Sequence, residues 1–316
     1  MTKAVILLNM GGINNAKEVE IFLTNMFNDK NIIRVKSDFL RSLIAKFIVF
    51  RRKNIVIENY KKIDGVSPLL KITEKLVDKL QKAMPDYLIT YAMRYTAPFE
   101  LEVLRECRDK NIEEIFLIPL YPQYSTTTTK SSFEAIERAL NELNYSPKIE
   151  RVDYFFDDEI YNSAIIENIK KEIKDFDSNE FDLIFSAHSL PQKIINDGDT
   201  YEKEVISNID ILKDLLDKNE IKFKNIHLAY QSKVTPVKWL EPSLESVLKS
   251  IDNKNVLIYP ISFIIDNSET VLELSIEYAE IAKELGFENF LVSKCLNDSD
   301  TFVKSLENMV KKLENS

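Results

Sequence analysis

Short apolar runs alternate with longer stretches of helical periodicity along most of the chain. Eight runs read as strands: Ala4–Asn9, Tyr87–Ala92, Ile115–Leu120, Lys148–Asp153, Asp182–Ser186, Asn225–Tyr230, Asn255–Tyr259 and Asn289–Val292. Most are unbroken rather than alternating, which is how a strand covered on both faces reads, and parallel sheets are covered on both faces. Amphipathic stretches such as Phe133–Leu143, Tyr161–Lys174, Tyr201–Lys218 and Glu269–Leu285 lie between them. Strand–helix–strand repetition implies right-handed crossovers and an open parallel sheet. IFLIPLYP (115–122) and VLIYPISF (256–263) each run from a strand into a proline-containing loop, at comparable places in two halves. The expectation is an α/β protein of two similar Rossmann-like domains, each a doubly wound parallel sheet, with a cleft between them. Their expected bounds are 1–147 and 148–299, with a closing helix over 300–316 packing back on the first. Ligands of such sheets sit beyond the carboxyl ends of the strands.

Phe39–Arg52 (FLRSLIAKFIVFRR) breaks the alternation. Its apolar residues fall at helical spacing, with Arg41, Lys46, Arg51 and Arg52 around them. It reads either as a core helix or as a partly exposed apolar lip with basic edges, suited to a membrane surface or a large flat apolar ligand.

The 316 residues fit two domains of ordinary size, or one large α/β unit. With 45% apolar and 29% charged residues, a globular fold needs no staples. The net charge of −9 argues against a general nucleic-acid binder. Cys107 and Cys295 belong to no CxxC or Cys/His cluster, so no zinc or iron–sulfur site is encoded. They read as two buried thiols in a reducing cytosol. The opening MTKAVILLNM reads as a strand running into Gly-Gly rather than a signal peptide. No apolar run approaches the ~18 residues that cross a bilayer. A cytoplasmic protein is expected, with the lip as a candidate for peripheral membrane contact.

Chemistry-bearing residues gather at strand ends. His188 follows FDLIFSA and precedes Ser189-Leu190-Pro191, where an imidazole can accept a proton or bind a metal near neutral pH. His227, inside NIHLAY, reads as a core or sheet-face residue. Asp266 lies in the loop after a strand, and Glu269, Glu273 and Glu277 follow at four-residue steps. Like charges so spaced on a helix repel. They form either a solvated acidic face or a carboxylate track for a cation or protons. The segment PLYPQYSTTTTKS (119–131) is a hydroxyl-rich turn able to bind anions through freed N–H groups. Neither GxxxxGK[ST] nor GxGxxG occurs, so Gly11-Gly12 is a weak nucleotide signal. These parts fit a wide, apolar, polyanionic ligand plus a cation. Tyr121 and Trp239 could stack on a flat ring, and Arg51, Arg52 and Arg94 could pair with carboxylates. The residues by themselves go no further than a metal- or proton-handling α/β enzyme.

Taken in order, the segments LLNMGG, FRRKNIVIENYKKIDGVSPL, AMRY, LYPQYSTTTTKSS, SAHSLP, GDTYEKEV, YQSKVTPVKWLEP and FIIDNSETVLELSIEY resemble the ferrochelatase family. They run from residue 5 to about residue 278, and SAHSLP and YQSKVTPVKWL are specific. The resemblance implies insertion of Fe²⁺ into protoporphyrin IX, the last step of haem synthesis, with the ring in the cleft between two Rossmann-like domains. It places His188 on one face of the macrocycle and Glu269 on the other, with Asp266 and Glu273 as further members of the acidic track. Arg51 and Arg52 match a lip arginine pair near the propionates. Asn9, Met10, Tyr60, Ser67, Arg94, Tyr121, Ser125 and Trp239 match other porphyrin-pocket or motif positions. Iron is then a substrate, and no tightly bound cofactor is expected.

The chain departs from the family pattern in three places. Asn267 stands where many members carry His, which leaves His188 as the expected lone imidazole of the pocket. Ser275 replaces a common acidic residue, and there is no C-terminal cysteine-bearing extension, so no iron–sulfur cluster is expected. Two other readings remain: a chelatase for another tetrapyrrole or metal (coproporphyrin, or cobalt into a corrin precursor), and a non-catalytic porphyrin or haem carrier.

Overall fold

The structure, a computed structural model, describes residues 2–233 and 237–315; residues 234–236 of the YQSKVTPVKWLEP stretch lie outside the described residues. All eight apolar runs become strands. The first sheet contains β1 (Lys3–Asn9), β2 (Leu88–Met93), β3 (Glu114–Pro119) and β4 (Lys148–Arg151) in the order β2-β1-β3-β4, every pair parallel. The second contains β5 (Asp182–His188), β6 (Asn225–Gln231), β7 (Asn255–Tyr259) and β8 (Asn289–Val292) in the equivalent order β6-β5-β7-β8, also parallel.

Burial explains why the strand runs are unbroken. Ala4, Val5, Ile6, Leu7 and Leu8 on β1, and Leu183, Ile184 and Phe185 on β5, are at most 1% exposed. Side chains on both faces of each central strand are therefore out of water, which favours apolar residues on both. Helices cover them. In the first sheet Ala4, Ile6 and Leu8 share a cluster with Leu104, Cys107, Ile136 and Ala139 from the helices Glu100–Asp109 and Thr129–Leu143.

The chain divides into two compact units, Met1–Tyr154 with Leu306–Ser316, and Phe155–Ser305. The strand expected to open the second half instead closes the first sheet. Glu114 of β3 lies opposite Lys148 of β4, Glu113 O accepts Lys148 N–H at 2.8 Å, and Lys148 Nζ pairs with Glu114 at 2.8 Å. From Leu306 onward the closing helix (Asp300–Glu314) counts with the first unit, where Glu314 pairs with Lys3 at 2.7 Å and accepts from the Tyr87 hydroxyl.

The lip segment is part of a longer helix than its spacing predicts, Asp38–Lys61. One face of it is core and the other is exposed. Ala45, Val49 and Tyr60 pack with Val19, Leu23 and Phe27 in a core cluster. Phe39, Phe47 and Phe50 project outward and are 74%, 62% and 82% exposed.

Candidate active site

In the second sheet the chain turns to opposite sides after β5, to β6 on one side and β7 on the other. The crevice at such a switch point, beyond the carboxyl ends of the strands, is where ligands of doubly wound sheets bind. His188 is the last residue of β5. The loop after β7 leads into a wide π-helix, Glu269–Glu277, and Ser232 follows β6. Three strand ends thus deliver three side chains to one place.

His188 Nδ1 lies 2.8 Å from Glu269 Oε2. Both side chains are about two-thirds covered. Burial alone would lower the imidazole's pKa, but the carboxylates of Glu269 and, farther off, Glu273 outweigh it, and His188 is raised above its ordinary 6.5. Burial also opposes ionisation of Glu269. The imidazole and the Ser232 hydroxyl more than offset that and hold Glu269 below 4.5. The two shifts agree in describing a carboxylate–imidazolium pair. Polar atoms 2.8 Å apart leave no space for a ring between these two side chains in this arrangement.

Glu273 stands one wide turn along the helix. Ser232 joins the two glutamates: its backbone N–H donates to Glu273 Oε1 at 2.8 Å, and its hydroxyl contacts Glu273 Oε2 and, at 3.2 Å, Glu269 Oε2. One hydroxyl hydrogen serves one acceptor, so both contacts become hydrogen bonds when one carboxyl carries a proton. Burial and the neighbouring charge of Glu269 raise the Glu273 carboxyl above its ordinary 4.5. Ser232 holds a left-handed backbone (φ +68°), which non-glycine residues adopt at a cost. Gln231, fully buried, accepts from Ser186 Oγ at 2.7 Å and donates to Glu273 at 3.3 Å. Behind His188, the buried Tyr201 hydroxyl donates to the histidine's own carbonyl at 2.8 Å and contacts Ser262 Oγ at 2.6 Å. Phe263 packs edge-on to the imidazole at 6.3 Å. Sequence reasoning singled out none of Ser232, Gln231, Tyr201 or Ser262. The strand-end rule that found His188 would also have pointed to Ser232, since YQS closes β6.

Asp266, expected in the acidic track, is engaged elsewhere. Its carboxylate accepts from Asn297 Nδ2 at 2.7 Å, Thr270 Oγ1 at 3.1 Å and Cys295 N–H at 3.2 Å. It joins the loop after β8 to the start of the helix. Asn267 is buried, and Trp239 forms a bridge with Pro191, three residues beyond His188. His227 Nε2 lies 2.9 Å from the carboxylate of buried Asp182, toward the opposite end of the strands, so it takes no part here.

The first unit holds the remaining predicted positions. Asn9 ends β1 and Met10 follows it, and their carbonyls accept the N–H groups of Arg94 and Tyr95 at 2.8 and 2.9 Å. Gly12 lies so close to Ser67 that an added Cβ would stand 2.8 Å from the serine hydroxyl. Arg94 does not present a free guanidinium. It donates to Asp29 and Ser131, both at 3.0 Å, and lies 4.0 Å from buried Glu100, whose carboxyl burial raises to about 7. Burial pushes the Tyr121 hydroxyl well above its ordinary range, against the opposing contact with Ser132. Ser125 is a buried turn residue that accepts Thr127 N–H at 3.1 Å. Tyr60 packs in the core cluster of the lip helix. Arg51 is exposed and lies over the Phe47 ring at 5.7 Å, whereas Arg52 is half-buried and its guanidinium is lowered by that burial. Cys107 and Cys295 are free and buried.

Among solved structures the chain is similar to SirB from Bacillus subtilis with Fe3+ (TM-score 0.59, 11% identity, 99% of this chain and 96% of that one). It is also similar to CbiX, described as the terminal enzyme of sirohaem biosynthesis in denitrifying bacteria (TM-score 0.54, 10% identity, 98% of each chain). At such identity these likenesses establish a shared chelatase-type fold. Sequence relatives are much nearer. The ferrochelatase of Sulfurimonas denitrificans is 53% identical over 98% of this chain and 99% of its own, and that of Wolinella succinogenes 51% over 98% of each. The ferrochelatase family model matches residues 2–314. This chain belongs to the ferrochelatase family, enzymes that insert metal into a porphyrin.

Proposed function

We propose that His188 is the proton acceptor, and Glu269 the metal-side carboxylate, in the insertion of Fe²⁺ into protoporphyrin IX. The observation that carries this is the 2.8 Å contact between His188 Nδ1 and Glu269 Oε2 at the carboxyl edge of the second sheet. A free-base ring holds two pyrrole N–H protons that must leave before a metal can sit in its plane. Glu269 engages Nδ1, so Nε2 is the nitrogen left to act as base, and the carboxylate orients the ring and stabilises the imidazolium that forms. Each proton moves from a pyrrole nitrogen while its electron pair stays behind to bind iron. Two protons are released as Fe²⁺ enters, so charge balances. Imidazole and carboxylate both suit Fe²⁺, which makes the same pair competent to receive the incoming substrate ion.

A planar ring hides its lone pairs, and bending it draws on binding energy at the periphery. Met10, Tyr121 and Trp239 are the proposed rigid walls. Arg51 and Arg52 are the proposed partners of the propionates; Arg52 is half-buried, so its guanidinium is less well hydrated than that of Arg51 and suited to pairing with an anion. Arg94 is spent on Asp29 and is a structural residue in this reading. The lip is the proposed site of peripheral membrane contact, which suits a poorly soluble ring.

Turnover of protoporphyrin with saturating Fe²⁺, followed by loss of free-base fluorescence, tests the assignment. His188→Ala is expected to lose at least about a hundredfold in kcat, the usual range for a general base. Near-normal turnover by that variant would sink the base assignment, and faster turnover of coproporphyrin than protoporphyrin by the wild type would reassign the ring.

A further inference from the structure

Asn267 is 8% exposed and immediately precedes the π-helix. Its Oδ1 accepts the backbone N–H of Glu269 at 2.7 Å and that of Thr270 at 3.4 Å, and its Nδ2 donates to Ile265 O at 3.3 Å. Its own N–H donates to Thr270 Oγ1 at 3.0 Å. Helix starts leave N–H groups without intrahelical partners, and a short side-chain acceptor at this place satisfies them. The arrangement is tied down from behind. Asp266 accepts from Thr270, Asn297 and Cys295 N–H, and its own N–H donates to Asn297 Oδ1 at 2.9 Å. Glu269 is thus the first residue of the helix and the one whose N–H the cap grips most closely, and its carboxylate must meet both His188 and Ser232.

We propose that Asn267 is a positioning residue for metal insertion: by capping Glu269 and Thr270 it fixes the start of the wide helix, and so holds the Glu269 carboxylate against His188. The inference rests on the reading that the His188–Glu269 pair carries the chemistry. It assigns Asn267 no contact with either substrate. A small displacement of a reacting group is enough to slow a reaction severely while leaving binding elsewhere intact.

Three variants test it in steady-state assays with Fe²⁺ and protoporphyrin IX. Asn267→Ala removes the acceptor. Asn267→Gln keeps the amide but overshoots the cap by one methylene. Asn267→Ser replaces it with another good cap. Ala and Gln are expected to lose tenfold to a hundredfold in kcat, on the order of the cost of a misplaced group, with the porphyrin KM unchanged. Ser is expected to restore most of the rate. Urea unfolding monitors folding, and if Ala does not fold, the Gln–Ser pair makes the same comparison. Wild-type kcat in Ala or Gln, or a Ser variant as slow as Gln, overturns the proposal. Glu269→Gln is assayed alongside. If it keeps its rate, the underlying reading fails; if it collapses while the Asn267 variants run normally, only the positioning role fails.

Discussion

A histidine hydrogen-bonded to a carboxylate titrates as half of a pair, and the pH dependence of this enzyme should show it. His188 is raised above 6.5 because the charges of Glu269 and Glu273 outweigh its burial. If neutral His188 takes the pyrrole proton, kcat rises with pH through that raised value, so the acid limb has its midpoint above 6.5. In Glu269→Gln, burial acts with less opposition and the midpoint of whatever rate remains should move down. A midpoint unchanged in that variant would mean that another group sets the limb. Stability runs the other way. A raised imidazole contributes stability that is fully present below 6.5 and lost as pH climbs through its folded value. Glu269, lowered, contributes stability present above 4.5 and lost as pH falls through its own folded value. The pair therefore supports the fold best between 4.5 and 6.5, and thermal unfolding of wild type against His188→Gln should differ most in that window. Activity and the pair's stability contribution peak on opposite sides of one titration.

At the scale of elements, the loop after β6 and the π-helix are joined through Ser232, and the two jobs of that residue can be separated. Its left-handed backbone costs about 1 kcal/mol in an L-residue, which glycine avoids. Ser232→Gly should therefore be more stable than Ser232→Ala by about that amount in urea unfolding. Neither variant carries the hydroxyl between Glu269 and Glu273, so both should lose kcat alike. If Gly kept the wild-type rate, only the backbone path would matter. Such features explain what could be read beforehand. The central strands were legible because burial on both faces leaves an unbroken apolar run, as at Val5–Leu8 and Leu183–Phe185. His188 was legible because a strand end is a ligand edge. The π-helix was not: Glu269, Glu273 and Glu277 at four-residue steps suit an α-helix equally well, and the i→i+5 pattern has no composition of its own. Ser232 carries no sequence mark of its φ. Asp266 fits the acidic spacing, yet its partner Asn297 lies thirty-one positions away and could not be seen from the chain. Contacts across such distances decide which carboxylates face His188.

Seen whole, a chain of net charge −9 carries an exposed apolar stripe with basic edges, and that contrast makes the lip testable. Phe39, Phe47 and Phe50 point away from the core that Ala45, Val49 and Tyr60 build, while Lys46 and Arg51 are exposed beside them. Among the described residues no helix is long and apolar enough to cross a membrane, so attachment through this helix would be to a surface. Fully burying a phenylalanine is worth about 1.5–3 kcal/mol, and interfacial insertion recovers part of that. Basic groups add attraction to anionic headgroups that salt screens. Replacing Phe47 and Phe50 together by Asp removes the two anchors and adds repulsion. The double variant should bind anionic vesicles at least about tenfold more weakly, roughly 1.4 kcal/mol. Neither side chain belongs to the proposed proton- or metal-handling set, so turnover of detergent-dispersed porphyrin should hold. Added salt should weaken wild-type binding without abolishing it, because the phenylalanine contribution is not screened. Equal partitioning of the two proteins onto vesicles would remove the membrane role and leave the exposed stripe as a surface for the ring alone.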